Sequence, residues 1–209
     1  MRDKENQYEM NQSRSFEVRE AVVKYEAGRI YTYDEVQEMF TETQKWEMMD
    51  GVPYAMAAAS PRHQELKIEL AALFRNYLKG KSCRVFSEIE IRLDTDKNDT
   101  FLIPDLFILC DKSKRGPKGV IGAPDMIVEI LSPSNARHDR LTKRRKYQQV
   151  GVKEYWLLDP RDDILEVALL GEDGLYRSIT YGANDVVKVN VLEDLEIDLA
   201  DLFANAWWD

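Results

Sequence analysis

Two apolar runs, residues 101–109 and 126–131, each interrupted by a single acid, constrain this chain more than any other feature. The first carries Asp105 after Pro104; the second carries Glu129. The β-branched and aromatic content of both predicts strands of a sheet interior. An ionised carboxylate buried there costs several kcal/mol, and two near each other cost more, unless a cation or hydrogen-bond donors meet them. A hard divalent cation satisfies such a pair, because magnesium takes carboxylate oxygens, a backbone carbonyl and waters, and two neighbouring strands supply the protein part. A basic helix begins near Asn135 and carries Lys143, so a fixed positive charge can be lowered toward the same spot.

Charge sharpens this picture. The net charge of −9 argues against a nucleic-acid partner until its distribution is read. From Glu154 onward fourteen acids face three bases, a balance of −11, which leaves the preceding part about +2. Two basic clusters stand in that part: Lys112, Lys114, Arg115 and Lys118 in the loop after the first acidic strand, and residues 137–146 on the basic helix. Either alone reads as a solvated face. Together, flanking two carboxylates, they point to a polyanion.

A chain of 209 residues suits one sizeable core. Residues 1–30 are expected to form a tail or peripheral helix, and 31–209 a single domain. No apolar run approaches the roughly 20 residues of a membrane span, and the first thirty residues are too charged for a signal peptide, so a cytoplasmic protein is expected. Cys83 and Cys110 lie in apolar surroundings with no CxxC spacing and read as reduced core thiols.

Thr32 and Glu35 have capping-box spacing ahead of a short helix over 33–40. Asp50-Gly51 between residues 45–49 and 52–56 marks a hairpin, with Glu47 on its first arm. Ser60-Pro61-Arg62-His63 opens a helix whose apolar face is read as Leu66, Leu70, Leu73, Phe74, Tyr77 and Leu78, closed by Gly80. Residues 83–93 alternate like one strand. Along the basic helix Lys143, Tyr147 and Val150 share a face, while Lys143 also stands four residues after Asp139, its candidate ion-pair partner. A buried strand over 154–158, hairpin segments 164–170 and 175–181, a short strand near 186–191, a helix near 199–204 and Trp207-Trp208 follow. The expected fold is α/β, with the basic helix crossing over between the Glu129 strand and the strand at 154–158.

With these residues in place, the chain resembles the PD-(D/E)XK, restriction-endonuclease-like superfamily, and within it the bacterial Uma-type family of restriction endonucleases. The likeness covers about residues 31–203. It rests on Trp46-Glu47-Met48-Met49-Asp50-Gly51, on Ser60-Pro61-Arg62-His63-Gln64, on Ile103-Pro104-Asp105, on Val128-Glu129-Ile130-Leu131-Ser132-Pro133-Ser134, and on Asp139, Lys143, Tyr147 and Gly151 before Val152-Lys153-Glu154-Tyr155-Trp156. The resemblance implies a restriction-endonuclease-like mixed β-sheet flanked by helices, with additional C-terminal β-hairpins. Pro104-Asp105 then matches the PD element and Glu129 the second acid. The superfamily's lysine two residues on is replaced by Leu131, and Lys143 matches the lysine that the Uma-type family carries on the next helix, with Lys146 as competitor.

What this implies is a magnesium-dependent endonuclease acting on DNA, with manganese as substitute. Asp105, Glu129 and the Ile130 carbonyl would hold the ion, Lys143 would orient or deprotonate the attacking water and offset the developing negative charge, and Glu47 would reach the ion through water or hold Lys143. His63, Arg140 and Lys146 are candidate phosphate contacts. A homodimer or higher oligomer is expected, since cutting both strands asks for two sites. The other class is a degenerate member that keeps the fold for nucleic-acid binding or assembly, motivated by Leu131.

Overall fold

The structure, a computed structural model, describes residues 28–39, 45–56, 58–94, 96–132, 136 and 138–205. The N-terminal tail through residue 27 and Trp207-Trp208 lie outside the described residues. Helix α1 (Tyr33–Met39) starts at the expected capping box: the Thr32 N–H donates to Glu35 Oε2 at 2.8 Å, and the Glu35 N–H to Thr32 Oγ1 at 3.4 Å. Strands β1 (Trp46–Met49) and β2 (Val52–Ala55) form the hairpin. Its turn needs positive φ at both central residues, and Asp50 at 50° and Gly51 at 75° supply it.

Helix α2 (Pro61–Tyr77) is capped by the Ser60 hydroxyl, which accepts from the His63 N–H. Its buried line runs through His63, Lys67, Leu70 and Phe74, with Leu66 at one margin. Leu73, expected inside, is 39% exposed because the stripe is centred to one side of it. Leu66, Leu70 and Phe74 are fully buried against the sheet, and truncating Leu70 to alanine would cost about 2–5 kcal/mol.

Two expected strands are each broken in two. Residues 83–93 divide into β3 (Arg84–Ser87) and β4 (Ile91–Asp94), with Glu88 between them at φ 52°. Residues 101–109 divide into β5 (Thr100–Leu102) and β6 (Leu106–Leu109) around Ile103-Pro104-Asp105. β3 pairs with β6 in one sheet and β4 with β5 in another, so both segments change sheets at the same place. Pro104 has no N–H to give a ladder, and its carbonyl accepts from the Glu88 N–H at 3.2 Å across the break. Asp105 therefore sits in a crossing rather than within a strand.

The remaining strands are β7 (Val120–Ile121), β8 (Met126–Ile130), β9 (Glu154–Asp159), β10 (Ile164–Leu170), β11 (Tyr176–Tyr181), β12 (Val186–Lys188) and β13 (Glu196–Asp198). One sheet has the order β2-β1-β5-β4-β7, the second β11-β10-β9-β8-β6-β3, and β12 pairs with β13. β8 and β9 run parallel, as a crossover demands. The crossover starts with the wide π-helical turn His138–Lys143 and continues as α3 (Arg144–Gln149), a departure from a uniform α-helix. Helix α4 (Leu199–Asn205) ends the described chain.

Side-chain alternation sorts the six-stranded sheet into two faces. Met126, Val128 and Ile130 of β8, with Trp156 and Leu158 of β9, pack against α2. Ile127 and Leu131, with Tyr155 and Leu157, pack against Tyr147 of α3 and against Met49, Ile91 and Leu102 of the five-stranded sheet. Glu129 shares the parity of the second set.

Cys83 and Cys110 form a disulfide, which corrects the expectation of reduced thiols. Arg84 stands opposite Leu109 in the β3–β6 ladder, so the cysteines just beyond that pair are cross-strand neighbours. Sequence spacing across 27 residues does not disclose that register.

Candidate active site

Leu106 lies opposite Val128 in the antiparallel β6–β8 ladder, which sets Asp105 beside Glu129. Both acids line one cavity of about 470 Å³, with Glu47, His63, Ile130 and Lys143 also in its wall. They face the same side of the sheet. Glu47 comes from β1 of the facing sheet, His63 from the first turn of α2, and Lys143 from the end of the π-helical turn.

Lys143 Nζ donates to Glu47 Oε1 at 2.9 Å and Glu129 Oε1 at 3.1 Å, and stands 3.4 Å from Asp139 Oδ1. All four side chains are buried, none more than 5% exposed. The Ile103 N–H donates to Glu47 Oε1 at 2.9 Å, and the Tyr147 hydroxyl to Glu129 Oε1 at 2.9 Å. The Ile130 N–H donates to Asp105 Oδ2 at 2.8 Å, and His63 Nε2 lies 3.2 Å from that same oxygen. Each of Glu47, Asp105 and Glu129 thus has one oxygen held by donors of the protein, which fixes its orientation and turns the other to further use.

Three carboxylates around one ammonium cannot all be charged at low cost. Burial raises Glu129 well above the usual carboxylate range, against the pull of Lys143. Burial likewise lifts Asp139, to about 6. For Lys143, burial works downward, but the charges of Glu129, Glu47 and Asp139 outweigh it and hold the ammonium well above its ordinary value. These directions pull against each other within one cluster, since a neutral Glu129 would support Lys143 less. The physically consistent state keeps Lys143 charged and places the surplus proton on the buried acids.

That surplus negative charge, on hard oxygen donors, fits a divalent cation. Among the described residues no group of three or more His, Cys, Asp or Glu side chains is arranged to hold a metal. Asp105 and Glu129 line the cavity together with Ile130, and these are the residues that such an ion would meet there.

Other expected site residues stand elsewhere. Arg140 pairs with Asp159 at 3.0 Å and lies 3.8 Å from Glu166, and Lys146 pairs with Asp50 of the β1–β2 turn; neither lines the cavity. Of the acidic C-terminal part, Asp159 and Glu166 thus meet Arg140 and Arg144 of the crossover. The loop cluster leaves the far end of β6 from Asp105, Lys114 donating to the Ala123 carbonyl at 2.7 Å, so it does not line the cavity either. Sequence reasoning missed Lys45, Lys67 and Glu88. Lys67 follows His63 by four residues, and that spacing on the buried line of α2 was the available signal.

An α/β sheet pair that brings an acid from β8, a second acid from the crossing ahead of β6 and a helix-borne lysine to one cavity defines a protein of the restriction-endonuclease-like fold. The chain belongs to the Uma2 family, described as "Putative restriction endonuclease", whose model matches residues 31–200. It is 31% identical over 150 residues to "Uncharacterized protein slr1290" of Synechocystis sp. (strain ATCC 27184 / PCC 6803 / Kazusa), covering 71% of this chain and 78% of that one. It also resembles the crystal structure titled as a putative nuclease belonging to DUF820 from Anabaena variabilis ATCC 29413, with a TM-score of 0.70 and 20% identity over 84% of this chain and 98% of the other. At that identity the likeness is one of fold. No helix among the described residues is long and apolar enough to cross a membrane.

Proposed function

We propose that this protein is a magnesium-dependent endonuclease that hydrolyses phosphodiester bonds in DNA, with manganese as a substitute ion. The observation that carries the proposal is the meeting of Asp105, Glu129 and Lys143, from three separate segments of the chain, in one cavity. Asp105, Glu129 and the Ile130 carbonyl would hold the ion. When bound, it supplies Lewis-acid polarisation of the phosphate and eases ionisation of water. Lys143 orients the attacking water through its N–H groups and offsets the negative charge that grows on the phosphate. Water's oxygen forms the new bond to phosphorus as the bond to the leaving ester oxygen breaks, and the proton that water gives up ends, through solvent, on that leaving oxygen. Glu47 positions Lys143, and His63 positions Asp105. In this reading residues 31–209 act as one domain, in the cytoplasm, and two copies associate so that both strands are reached.

Nicking of supercoiled plasmid in magnesium, manganese or calcium tests the proposal. Asp105→Ala and Lys143→Ala should each lower the rate about 100-fold or more. Inactivity of the wild type on DNA and RNA with every ion would sink it. That result would favour the binding-only reading, to which buried Leu131 gives independent support: it is 2% exposed, packed where the superfamily's lysine would project. Light scattering tests the dimer.

A further inference from the structure

We infer that Lys45 and Lys67 form a clamp for a backbone phosphate of the nucleic-acid substrate, and that Glu88 occupies the clamp when no substrate is present. The inference rests on the nuclease reading above for the identity of the polyanion.

The cavity wall holds five acids, Glu47, Glu88, Asp105, Glu129 and Asp139, against two lysines, Lys45 and Lys143. A phosphodiester approaching such a wall needs cationic groups near the mouth. Lys143 is buried among carboxylates and cannot serve there. Lys45 lines the wall and is 55% exposed, and Lys67 meets it on Glu88, another residue of that wall. Each reaches a different oxygen of the same carboxylate at 2.6 Å, Lys45 to Glu88 Oε2 and Lys67 to Glu88 Oε1. Two ammonium groups bridging two oxygens of one anion is the arrangement a phosphate's paired oxygens would take up.

The lysines and the carboxylate differ in how they are held. Lys67 projects from the buried line of α2 and is only 6% exposed, so its ammonium is fixed in position. Glu88 sits on the turn between β3 and β4, at φ 52°, and a third of its side chain meets solvent. Its departure exposes no core. Lys67 would then be left with a desolvated charge and no described partner, which strongly favours a replacement anion. His63, one helical turn before Lys67, lies against Asp105, so a phosphate in the clamp would run on toward the two acids.

Binding of a short end-labelled duplex by the full-length protein, followed by fluorescence anisotropy with calcium in place of magnesium over a range of salt, tests this. Glu88→Gln should bind about three- to tenfold tighter, because it removes the competing charge. Lys45→Met and Lys67→Met should bind more weakly, each lowering the slope of log affinity against log salt by about one unit. Lys67→Arg keeps the charge and should hold the wild-type slope; with exposed Lys45 it preserves the test if Lys67→Met does not fold. Unchanged slopes, together with Glu88→Gln binding no tighter, would reduce the cluster to an ion pair tying α2 to β1. If plasmid nicking persists in that case, this inference alone fails. Tighter binding by Glu88→Gln in a protein that nicks nothing would keep the clamp and remove the nuclease reading.

Discussion

The Lys143 ammonium and the Glu47 carboxylate, 96 residues apart in the chain, meet at 2.9 Å with each side chain 5% exposed. One comes from the helical crossover behind one sheet and the other from the hairpin of the facing sheet. Their contact ties the two sheets together at the point where Asp105 and Glu129 emerge.

Removing the cation from that contact should be costly. Lys143→Met leaves Glu47, Glu129 and Asp139 without their shared partner, and breaking a buried pair from one side typically costs about 3–5 kcal/mol. The loss should be greater in alkaline buffer, where Asp139 is ionised, and should shrink as mild acid neutralises that carboxyl, which is raised to about 6. Urea unfolding of the metal-free protein at pH 8 and pH 5 measures both effects, and a loss below about 1 kcal/mol at pH 8 would remove the cluster from the stability account.

Tyr147→Phe deletes one hydroxyl, the donor at 2.9 Å to Glu129 Oε1, and leaves the ring in place among Tyr155 and Leu157. A hydrogen bond to a carboxylate is worth about 1.5–3 kcal/mol. If Glu129 holds a metal, loss of this orienting contact should weaken magnesium binding about 10- to 100-fold, read by isothermal titration. Unaltered affinity would mean that the hydroxyl serves packing alone.

Much of this site can be read from the chain, and the unread parts share a cause. Asp105 and Glu129 stand out because a lone acid in an apolar run is costly wherever it is buried. Lys143 follows from its spacing to Tyr147. Lys67 and Glu88 were not read: a lysine four residues after His63 differs from a solvated one only in the sheet that covers it. The breaks at Glu88 and Pro104 were missed for a related reason, since alternation continues across both and only pairing partners reveal that the strands change sheets. The ion pairs of Arg140 with Asp159 and of Lys146 with Asp50 were not legible either, because those acids are distant in sequence and adjacent only in the fold.

The two kinds of perturbed acid set a stability optimum in weak acid. Asp139 is raised from 3.8 to about 6, so the folded state binds its proton more tightly. Its stabilising effect is complete below the unfolded pKa and is lost as pH rises through about 6, a swing of roughly 3 kcal/mol. Glu129 is shifted in the same direction. Glu88 goes the other way: its hydrogen bonds from Lys45 and Lys67 hold it near about 2, so its contribution is present above 4.5 and lost as pH falls toward 2. With a third of that side chain in solvent, about 1 kcal/mol is a reasonable discounted figure. Urea unfolding in chelator from pH 3 to pH 8 should therefore show metal-free stability falling between the ordinary carboxylate range and about pH 6. A flat or rising profile there would contradict the assignment of Asp139.

The disulfide Cys83–Cys110 closes a loop with a sequence separation of 27, which in the chain-entropy account restricts the unfolded state by about 3.5 kcal/mol. It lies at one end of the β3–β6 ladder, and Asp105 at the other, with the pairs from Arg84 to Ser87 between them. β3 is also the outermost strand of its sheet, where fraying would begin. Reduction, or Cys83→Ser, should thus lower unfolding stability by about that amount while leaving cation binding at the carboxylates intact, because the intervening ladder keeps Asp105 and the Ile130 N–H in place. Urea curves with and without dithiothreitol, paired with magnesium titration of the reduced protein, separate the two effects. Two titratable thiols in the denatured, unreduced protein would show that the bond does not form, and the ladder alone would then have to hold that edge.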